Sequence, residues 1–386
     1  MHGPIPHLAL LIAAGCRLSG GPAPAPGVWT ATERTQLERM RPADLPPVPS
    51  NPWADRDDAA ALGQALFFDP ALSASGAFSC ASCHKPGLGF ADPAPHSVAA
   101  GTTKRHTPVI PGSQRGPYFG WTGDSDSMWA QAIGPLLNPL EMASTPEHVA
   151  QAVASGHSEA YASVFGVPPD PAEPEKVLVK AAQAIEAYER RLIPEPSRFD
   201  RYLETLGGPE PTPSEGVLSE SEIRGLSLFL RDADCIECHH GPMLTDGAFH
   251  NLAVAEPYGY DKGRTEGAHA VTESKWNCRS PHAATADCGE LDFLNPDFED
   301  FEGAFKTPTL RNVARTAPYF HNGSIPDLAG VIAFYNELPG DAIFGHRELT
   351  LHPLELDAAE QADLIAFLHA LDAEVPAPLR EPPVQD

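Results

Sequence analysis

The sequence predicts a mainly α-helical protein whose helices form two domains connected by long loops. Apolar residues recur at helical spacing behind polar caps, whereas the strict alternation that is typical of strands is scarce. A chain of 386 residues is long enough for two domains. The Pro- and Gly-rich stretch 207–216 is the best candidate for the linker between them.

Five stretches carry the clearest helical signals. Paired aspartates open the first, at 57–68, where they suit the positive amino end of a helix. Thr145 and Pro146 supply an N-cap and a first-turn proline for the second. The third stretch carries Val177, Ala181 and Ile185 as an apolar stripe. The fourth and fifth each begin with a capping box that is followed by apolar residues, and these boxes are Ser219 with Glu222 and Asp357 with Glu360.

The composition limits the choice of partner. Hydrophobic residues make up 42% of the chain, which is enough to build ordinary cores. Asp and Glu number 52 against 26 Lys and Arg, and the formal net charge is −26. Because nucleic acid is bound through a surplus of positive charge, this composition argues against it as a partner.

Two CxxCH motifs lie at 80–84 and 235–239, beside long loops at 85–128 and 240–325. Long loops around short helices indicate that a cofactor helps to organise the fold. Two thiols at this spacing can add to the vinyl groups of haem, and the adjacent imidazole then binds the iron. A zinc site or a redox CxxC pair is an alternative, although neither motif has a second ligand pair at zinc-finger spacing. We therefore predict two covalently bound c-type haems, one per domain, held by Cys80, Cys83, His84, Cys235, Cys238 and His239, with the histidines as iron ligands.

The amino-terminal residues predict export to the periplasm. The apolar run from Leu8 to Gly15 is too short to span a bilayer and is typical of a signal peptide. The segment IAAGC that ends at Cys16 resembles a bacterial lipobox, so residues 1–16 are predicted to be a lipoprotein-type signal with Cys16 lipidated. An ordinary signal peptide with an incidental cysteine is the alternative. The Pro- and Gly-rich residues 17–52 are expected to form a tether that docks onto the first domain.

The last two cysteines are Cys278 and Cys288. Two cysteines ten residues apart in an exported loop are expected to form a disulfide, and free thiols or a metal site are the alternatives. Together with the four haem thiols and Cys16, this pair accounts for all seven cysteines.

From about Ala60 to Leu371 the chain resembles the bacterial di-haem cytochrome c peroxidase and MauG family. The motifs that carry the resemblance are LGQALFFDPALSASGAFSCASCH (62–84), QAIGPLLNPLEM (131–142), RGLSLFLRDADCIECHHGP (224–242) and FKTPTLRNVARTAPYFHNG (305–323). The resemblance implies two cytochrome c-like haem domains, of which the first reacts with hydrogen peroxide and the second stores or relays electrons. The predicted boundaries are 53–206 for the amino-terminal peroxidatic domain, 207–375 for the carboxy-terminal electron-transfer domain and 376–386 for a flexible tail.

The resemblance also assigns catalytic residues. Gln131 and Glu141 match the distal-pocket glutamine and catalytic glutamate of the family, and Pro135 matches the proline between them. An amide and a carboxyl at an open haem face can polarise peroxide and move its proton, whereas the alternative is a solvated Glu141 after an ordinary turn. Trp121 matches the tryptophan that bridges the two haems, unless it is a core aromatic. The family often reads WDGR at this turn, whereas this chain reads WTGD (121–124), so the arginine is absent.

Tyr335 stands fourteen residues beyond His321, where the peroxidases carry the methionine that binds the second haem. No methionine follows Met243 in the chain. A tyrosine at this position is the arrangement of MauG. A phenolate favours the higher oxidation states of iron, whereas a thioether favours ferrous iron. We therefore predict that Tyr335 binds the second iron, with a buried tyrosine of no metal role as the alternative.

Family members bind calcium between the domains, and the resemblance places one Ca²⁺ here. Thr316 and Pro318 match the two carbonyl donors. The expected asparagine is replaced by His106, which is a poor ligand because calcium prefers oxygen. His96 lies in the loop where the peroxidases carry a removable histidine ligand, but the loop match is loose and we expect a solvated histidine.

The sequence thus predicts a MauG-like enzyme, of the MbnH-like subgroup, that uses hydrogen peroxide to oxidise a residue of a small exported partner protein. The nearest alternative is a conventional di-haem peroxidase that takes electrons from a small cytochrome c or a cupredoxin. A second alternative is a di-haem electron carrier without peroxide chemistry. The presence of Glu141 and Gln131 argues against the electron carrier, and the presence of Tyr335 argues against the conventional peroxidase. Membrane contact is expected only through the lipid anchor.

Overall fold

The computed structural model describes residues 24–42, 51–114, 116–206, 216–283 and 287–383. Within these ranges the chain forms twelve α-helices and one small antiparallel sheet, which confirms the prediction of a mainly helical protein. In the sheet, β1 (Phe249–His250) pairs with β2 (Phe305–Lys306). The helices are α1 (Ala31–Arg39), α2 (Asp57–Phe68), α3 (Cys80–Cys83), α4 (Met128–Leu137), α5 (Pro146–Gly156), α6 (Ser158–Phe165), α7 (Pro174–Glu189), α8 (Arg198–Thr205), α9 (Glu220–Leu230), α10 (Arg264–Glu273), α11 (Leu328–Glu337) and α12 (Ala358–Ala370).

The predicted signal peptide, with Cys16, lies outside the described residues, as does most of the predicted linker. Among the helices of the described ranges, none is both long enough and apolar enough to cross a bilayer.

The first core is built on the crossing of α2 and α7. These helices bury Phe67 and Tyr188, whose ring centroids lie 5.1 Å apart, and α4 adds Trp129 to the same core. The two helices approach so closely that a Cβ atom at Gly63 would lie 1.8 Å from the carbonyl oxygen of Ala184. The crossing therefore requires glycine at this position.

The second core repeats the arrangement with α9 and α12. Phe229 on α9 and Phe367 on α12 pack with their ring centroids 5.2 Å apart. A Cβ atom at Gly225 would lie 2.0 Å from the carbonyl oxygen of Asp363. Each core also contacts the first cysteine of one CxxCH motif. The chain thus places one helix crossing with an obligatory glycine beside each motif.

Gly63→Ala and Gly225→Ala should each destabilise one core. The added methyl group would overlap a main-chain carbonyl that cannot rotate away, so we expect the free energy of unfolding to fall by about 2–3 kcal/mol. Denaturant unfolding of the holoprotein, followed by far-ultraviolet circular dichroism, measures this loss. Gly156→Ala is the matched control, because a Cβ atom there meets no atom within 4 Å. Equal midpoints for all three variants would contradict the tight crossings.

The amino-terminal arm, residues 24–41 of the predicted tether, packs on the second core, whereas Asn51, near the end of that tether, docks onto the first domain by donating to the Gln183 carbonyl of α7 at 2.8 Å. The Trp29 indole N–H donates to the hydroxyl of Tyr202 at 2.8 Å, and Leu37 and Met40 are completely buried. Tyr202 belongs to α8, which lies inside the predicted first domain but packs in the second core. The arm therefore follows α8, because that helix supplies the apolar surface that Trp29 covers.

The carboxy-terminal segment follows the second core in the sequence but packs on the first core. Val375 is buried there, and the side-chain amide of Gln64 donates to the carbonyl oxygens of Pro378 and Glu381 at 2.7 and 2.8 Å. The Tyr188 hydroxyl donates to the carbonyl of Leu379. Residues 376–381 are thus held by side chains of α2 and α7, which differs from the predicted flexible tail. Within the described residues, the amino-terminal arm and the carboxy-terminal segment thus each pack against the core that is more distant in sequence.

Candidate haem-binding and active sites

The first CxxCH motif begins at the amino end of α3. The Ser79 amide donates to the Ser82 hydroxyl at 2.9 Å, which helps to fix this short helix. His84 follows, and its Nδ1 lies 3.2 Å from the carbonyl oxygen of Phe90. A carbonyl only accepts, so Nδ1 carries the proton and Nε2 remains as the metal-binding atom. Burial lowers the pKa of His84 to about 4, so the ring is neutral, as a ligand must be.

The second motif has the same arrangement. His239 Nδ1 lies 3.0 Å from the carbonyl oxygen of Leu244, and burial lowers the pKa of His239. In both motifs the accepting residue has a left-handed backbone, with φ 62° at Phe90 and 52° at Leu244. The two loops therefore turn their carbonyls back towards the histidines in the same way.

A cavity of about 1080 Å³ lies against the second motif. Its walls include Cys235, Cys238 and His239, and most of its lining is apolar. The volume is at the upper end of the range for cofactor pockets. Neither cysteine forms a disulfide. Free thiols, a neutral imidazole and an apolar space of this size are what a covalently bound haem requires, so the residues present fit the group.

Tyr335, on α11, lines the same cavity as His239. Burial raises the pKa of Tyr335, and the nearby thiols of Cys235 and Cys238 raise it further. No residue within the described ranges hydrogen-bonds to its hydroxyl. Tyr335 is half-buried and lines the cavity, so its phenol oxygen is available to a group bound there, and a bound ferric iron would favour the phenolate.

The segment 131–141 approaches the first motif. Gln131 and Pro135 lie on α4, and Pro135 has no N–H to donate to the Gln131 carbonyl, so the helix ends shortly afterwards at Leu137. A turn follows, in which the Glu141 amide donates to the Asn138 carbonyl at 3.0 Å.

The Glu141 side chain lies near the first motif. Burial raises the pKa of the Cys80 thiol, and the carboxylates of Glu189 and Glu141 raise it further. Burial also raises the pKa of Glu141, and the negative charge of Asp124 adds to this effect. The structure therefore brings a partly buried carboxyl group to the first haem-attachment site.

Trp121 lies in the wall of the cavity at the second motif. Its indole N–H donates to the carbonyl of His106 at 2.8 Å, and its side chain lines the cavity of the second motif. Its own carbonyl accepts from the Lys306 amide of β2 at 2.9 Å. The loop that leads to α4 thus places an indole in the wall of the other site.

The WTGD turn is held by an arginine from a distant segment. Arg264 Nη1 donates to the carbonyls of Thr122 and Gly123 at 3.0 and 2.6 Å, and its guanidinium lies 4.1 Å from the centroid of the Tyr118 ring. Arg264 thus contacts the turn from which the family's arginine is absent. No local sequence pattern predicts this contact, because Arg264 is more than 140 residues away.

Two further residues of the second cavity were missed. His250 lies between carboxylates, with Nε2 2.9 Å from Asp246 and Nδ1 2.7 Å from Glu348, and the Asp246 hydrogen bond above all raises its pKa to about 11. His250, Asp246 and Cys238 form the one cluster of metal-donor groups within the described ranges, but Cys238 belongs to the haem motif. Burial lowers the pKa of Lys306, which also lines the cavity, to about 8. His250 lies outside the motifs that carry the family resemblance, and Lys306 lies within FKTPTLRNVARTAPYFHNG (305–323), where the resemblance assigns it no role.

His106, which replaces the calcium-binding asparagine of the family, forms a hydrogen bond within the protein. His106 is buried, and its Nε2 lies 2.7 Å from the carbonyl oxygen of Asp92, so its ring is already bound. His96 is not solvated, since its Nδ1 lies 2.5 Å from the carbonyl oxygen of Thr103.

Cys278 and Cys288 form a disulfide, with their Cα atoms 5.2 Å apart. The disulfide packs beside Tyr118, Val271 and Leu291.

Fold and site together define a helical c-type cytochrome with two haem-attachment motifs and a carboxyl group beside the first. Residues 57–206 match the family model of the di-haem cytochrome c peroxidases, and residues 304–335 match a RoxA-like, cytochrome c-like model. The methylamine utilization protein MauG of Methylorubrum extorquens is 30% identical over 338 residues, which cover 86% of this chain and 83% of that protein. The cytochrome c551 peroxidase of Pseudomonas aeruginosa is 32% identical over 320 residues, covering 82% and 79%.

Solved structures agree with these relatives. A MauG-like protein associated with microbial copper homeostasis superposes with a TM-score of 0.65 at 28% identity, covering 88% of this chain and 98% of that one. The di-haem peroxidase BthA of Burkholderia thailandensis shares the fold, with a TM-score of 0.66 at 24% identity, covering 90% and 92%. The chain belongs to the di-haem cytochrome c peroxidase and MauG family. It is therefore a peroxide-dependent oxidoreductase, and its family implies two c-type haems.

Proposed function

We propose that this protein is a periplasmic enzyme of the MauG-like branch, which uses hydrogen peroxide to oxidise a residue of an exported partner protein. The observation that carries the proposal is the position of Tyr335, which lines the cavity of the second motif without a hydrogen-bond partner in the described ranges. No methionine lines that cavity. A hard, anionic oxygen ligand suits a site that holds oxidising equivalents, whereas a conventional peroxidase needs a site that accepts electrons.

Seven residues would hold the two haems, one haem in each cytochrome c-like domain. These residues are Cys80, Cys83 and His84 for the first, and Cys235, Cys238, His239 and Tyr335 for the second. The bound haems would supply peroxide cleavage at the first site and storage of oxidising equivalents at the second.

Glu141 is the proton-transfer group of this proposal. Its carboxylate would accept a proton from one oxygen of the bound peroxide and return it to the oxygen that leaves as water. Gln131 donates a hydrogen bond that orients the peroxide, and Pro135 ends α4 so that Glu141 follows a turn. Trp121, which lines the cavity of the second site, would carry the electron exchange between the two sites.

The partner is proposed to be a small exported protein. Likeness to the MauG-like protein of copper homeostasis supports assignment to the MbnH-like subgroup. Export through residues 1–16, a lipid on Cys16 and one calcium ion at Thr316 and Pro318 complete the proposal. An electron carrier without peroxide chemistry would have no use for the carboxyl group of Glu141.

A conventional peroxidase remains the second candidate, because the relative from Pseudomonas aeruginosa is named a cytochrome c551 peroxidase. Peroxide added to the diferric holoprotein distinguishes the two. A MauG-like enzyme should give a long-lived, two-electron-oxidised protein with a near-infrared absorption band. A protein that reacts only after half-reduction, and that turns over with a small cytochrome c, would contradict the MauG-like proposal.

The partner can be identified by the same reaction. Small exported proteins encoded near this chain would be treated with the enzyme and peroxide, and their masses measured. A mass change that corresponds to oxidation of one side chain supports the proposal, and omission of peroxide is the control.

A further inference from the structure

We propose that Tyr260 is the surface residue through which the oxidation reaches the partner protein, with the Glu302 carboxylate as the acceptor of its proton. This inference rests on the proposed function. It names a route that neither the family motifs nor the sequence analysis identified.

The first support is the position of Tyr260. Its side chain lines the cavity that also contains His239 and Tyr335, and 37% of it is exposed. The other oxidisable aromatic residues in that wall, Trp121 and Tyr319, are less exposed. Phe344 is exposed beside the same cavity, but a phenyl ring is much harder to oxidise than a phenol. Tyr260 is therefore the one Tyr or Trp within the described ranges that reaches from this cavity to the open surface.

The second support is the base beside the phenol. Glu302 forms an antiparallel bridge with Gly263, three residues beyond Tyr260, and the Gly303 amide donates to the Lys262 carbonyl at 3.1 Å, so the Glu302 segment lies beside the loop that carries Tyr260. Burial raises the pKa of the Tyr260 phenol, and the nearby Glu302 carboxylate raises it further. The negative charges of Asp261 and Glu256 act on the phenol in the same direction. Arg105 binds Asp261 at 2.8 Å, and His321 lies 2.7 Å from Glu256. Within the described ranges Glu302 forms no ion pair, so it is the carboxylate that is free to take a proton.

The chemistry balances as a proton-coupled electron transfer. A phenol becomes strongly acidic when it loses an electron, so its oxidation is favourable only where a base takes the proton. One electron passes from the Tyr260 ring to the peroxide-oxidised enzyme, and the phenolic proton moves to Glu302. A neutral phenoxyl radical is left at the surface. The partner's side chain then supplies one electron, the proton returns from Glu302, and the phenol is restored.

The third support is a set of contacts that holds the main chain at Glu302 and Phe344 in place. The Asn251 side-chain amide donates to the main-chain carbonyls of Glu302 and Phe344, at 3.0 and 3.1 Å. The Phe344 ring packs against Tyr260, with the centroids 4.4 Å apart. Gly303 has φ +73°, a backbone conformation that favours glycine, and a Cβ atom there would lie 2.9 Å from the Asn251 amide nitrogen. One amide thus positions both the base and the ring that supports the phenol.

Neighbouring aromatic residues lack this combination. Tyr258 is more exposed, at 60%, but it is not part of the cavity wall, and its ring packs against His96. Trp276 packs against the first core and is absent from the wall. Tyr258 therefore serves as a matched control, two residues away in the same loop.

The test is radical trapping on the diferric holoprotein. The protein is treated with one equivalent of hydrogen peroxide and a nitroso spin trap, without partner, and adducts are located by peptide fragmentation mass spectrometry. We expect an adduct on Tyr260 in the wild type and in Tyr258→Phe, and its loss in Tyr260→Phe. Glu302→Gln should reduce the yield, because the neutral amide cannot take the proton. The absorption spectrum of each ferric variant checks that both haems are bound normally.

The outcomes separate this inference from the proposed function. A long-lived oxidised spectrum with adducts on Tyr258 or Trp276, undiminished in Tyr260→Phe, overturns the role of Tyr260 alone. An adduct on Tyr260 without the long-lived spectrum supports the role of Tyr260 and contradicts the MauG-like proposal. Absence of both the spectrum and the adduct overturns both.

Discussion

Glu141→Gln should lower the second-order rate constant for the reaction with hydrogen peroxide by about 10²–10⁴-fold, the usual contribution of a positioned general base. The amide keeps the size of the side chain but cannot accept the peroxide proton. Stopped-flow absorption of the diferric holoprotein measures the rate constant. The ferric spectrum should remain unchanged, because Glu141 does not attach either haem.

Glu147→Gln is the matched control for this loss. Glu147 is fully exposed in the first turn of α5, so its amide variant should react at the wild-type rate. Equal rate constants for Glu141→Gln and the wild type would remove Glu141 from the catalytic machinery.

The pH dependence of the same reaction has a defined sign. Burial raises the pKa of Glu141 above its ordinary value of 4.5, and the charge of Asp124 raises it further. The base must be ionised, so the rate is highest above this raised pKa and falls as the pH drops through it. Asp124→Asn removes a negative charge, lowers the pKa of Glu141 and should move the fall in rate to lower pH. A shift to higher pH would contradict this electrostatic coupling.

Tyr335→Phe and Tyr335→Met should shorten the lifetime of the two-electron-oxidised protein by about tenfold or more, which corresponds to about 1.4 kcal/mol. Phenylalanine offers no ligand atom to the second iron. Methionine offers a thioether, which stabilises ferrous iron and should raise the reduction potential of that haem. Decay of the near-infrared band and a redox titration measure the two effects.

Tyr319→Phe is the control in the same cavity wall. The Tyr319 hydroxyl donates to the Val313 carbonyl at 2.8 Å, so it is already bound and its loss should not change the lifetime. An oxidised state that persists unchanged in Tyr335→Phe would show that Tyr335 is not a ligand.

Tyr260 and Tyr335 have different roles in the same cavity. Tyr335 lacks a hydrogen-bond partner in the described ranges, which suits a metal ligand, whereas Tyr260 has Glu302 as a base, which suits reversible oxidation. Two phenols can thus serve one reaction, because their environments make one a stable donor to iron and the other a source of electrons.

Helices and haem attachment could be predicted from local sequence. The capping box at Ser219 and Glu222 forms as expected, and α9 begins at the next residue. Packing partners could not be predicted in the same way. The arm that carries Trp29 was expected on the first domain, yet it packs on the second core, because its apolar residues fit the surface of α8. Nothing local to the arm indicates which of two apolar surfaces it will cover.

The sequence alone determined the chemistry that short segments carry. Five consecutive residues carry each predicted haem attachment, and a single position, Tyr335, carries the proposal that the chain is MauG-like. Only the tertiary structure decided which distant groups meet: Arg264 at the WTGD turn, His250 between two carboxylates, and Tyr260 beside Glu302. These contacts join residues between four and more than 140 positions apart. These contacts depend on how the loops fold over the two cores, and no periodicity or motif in the sequence predicts the path of those loops.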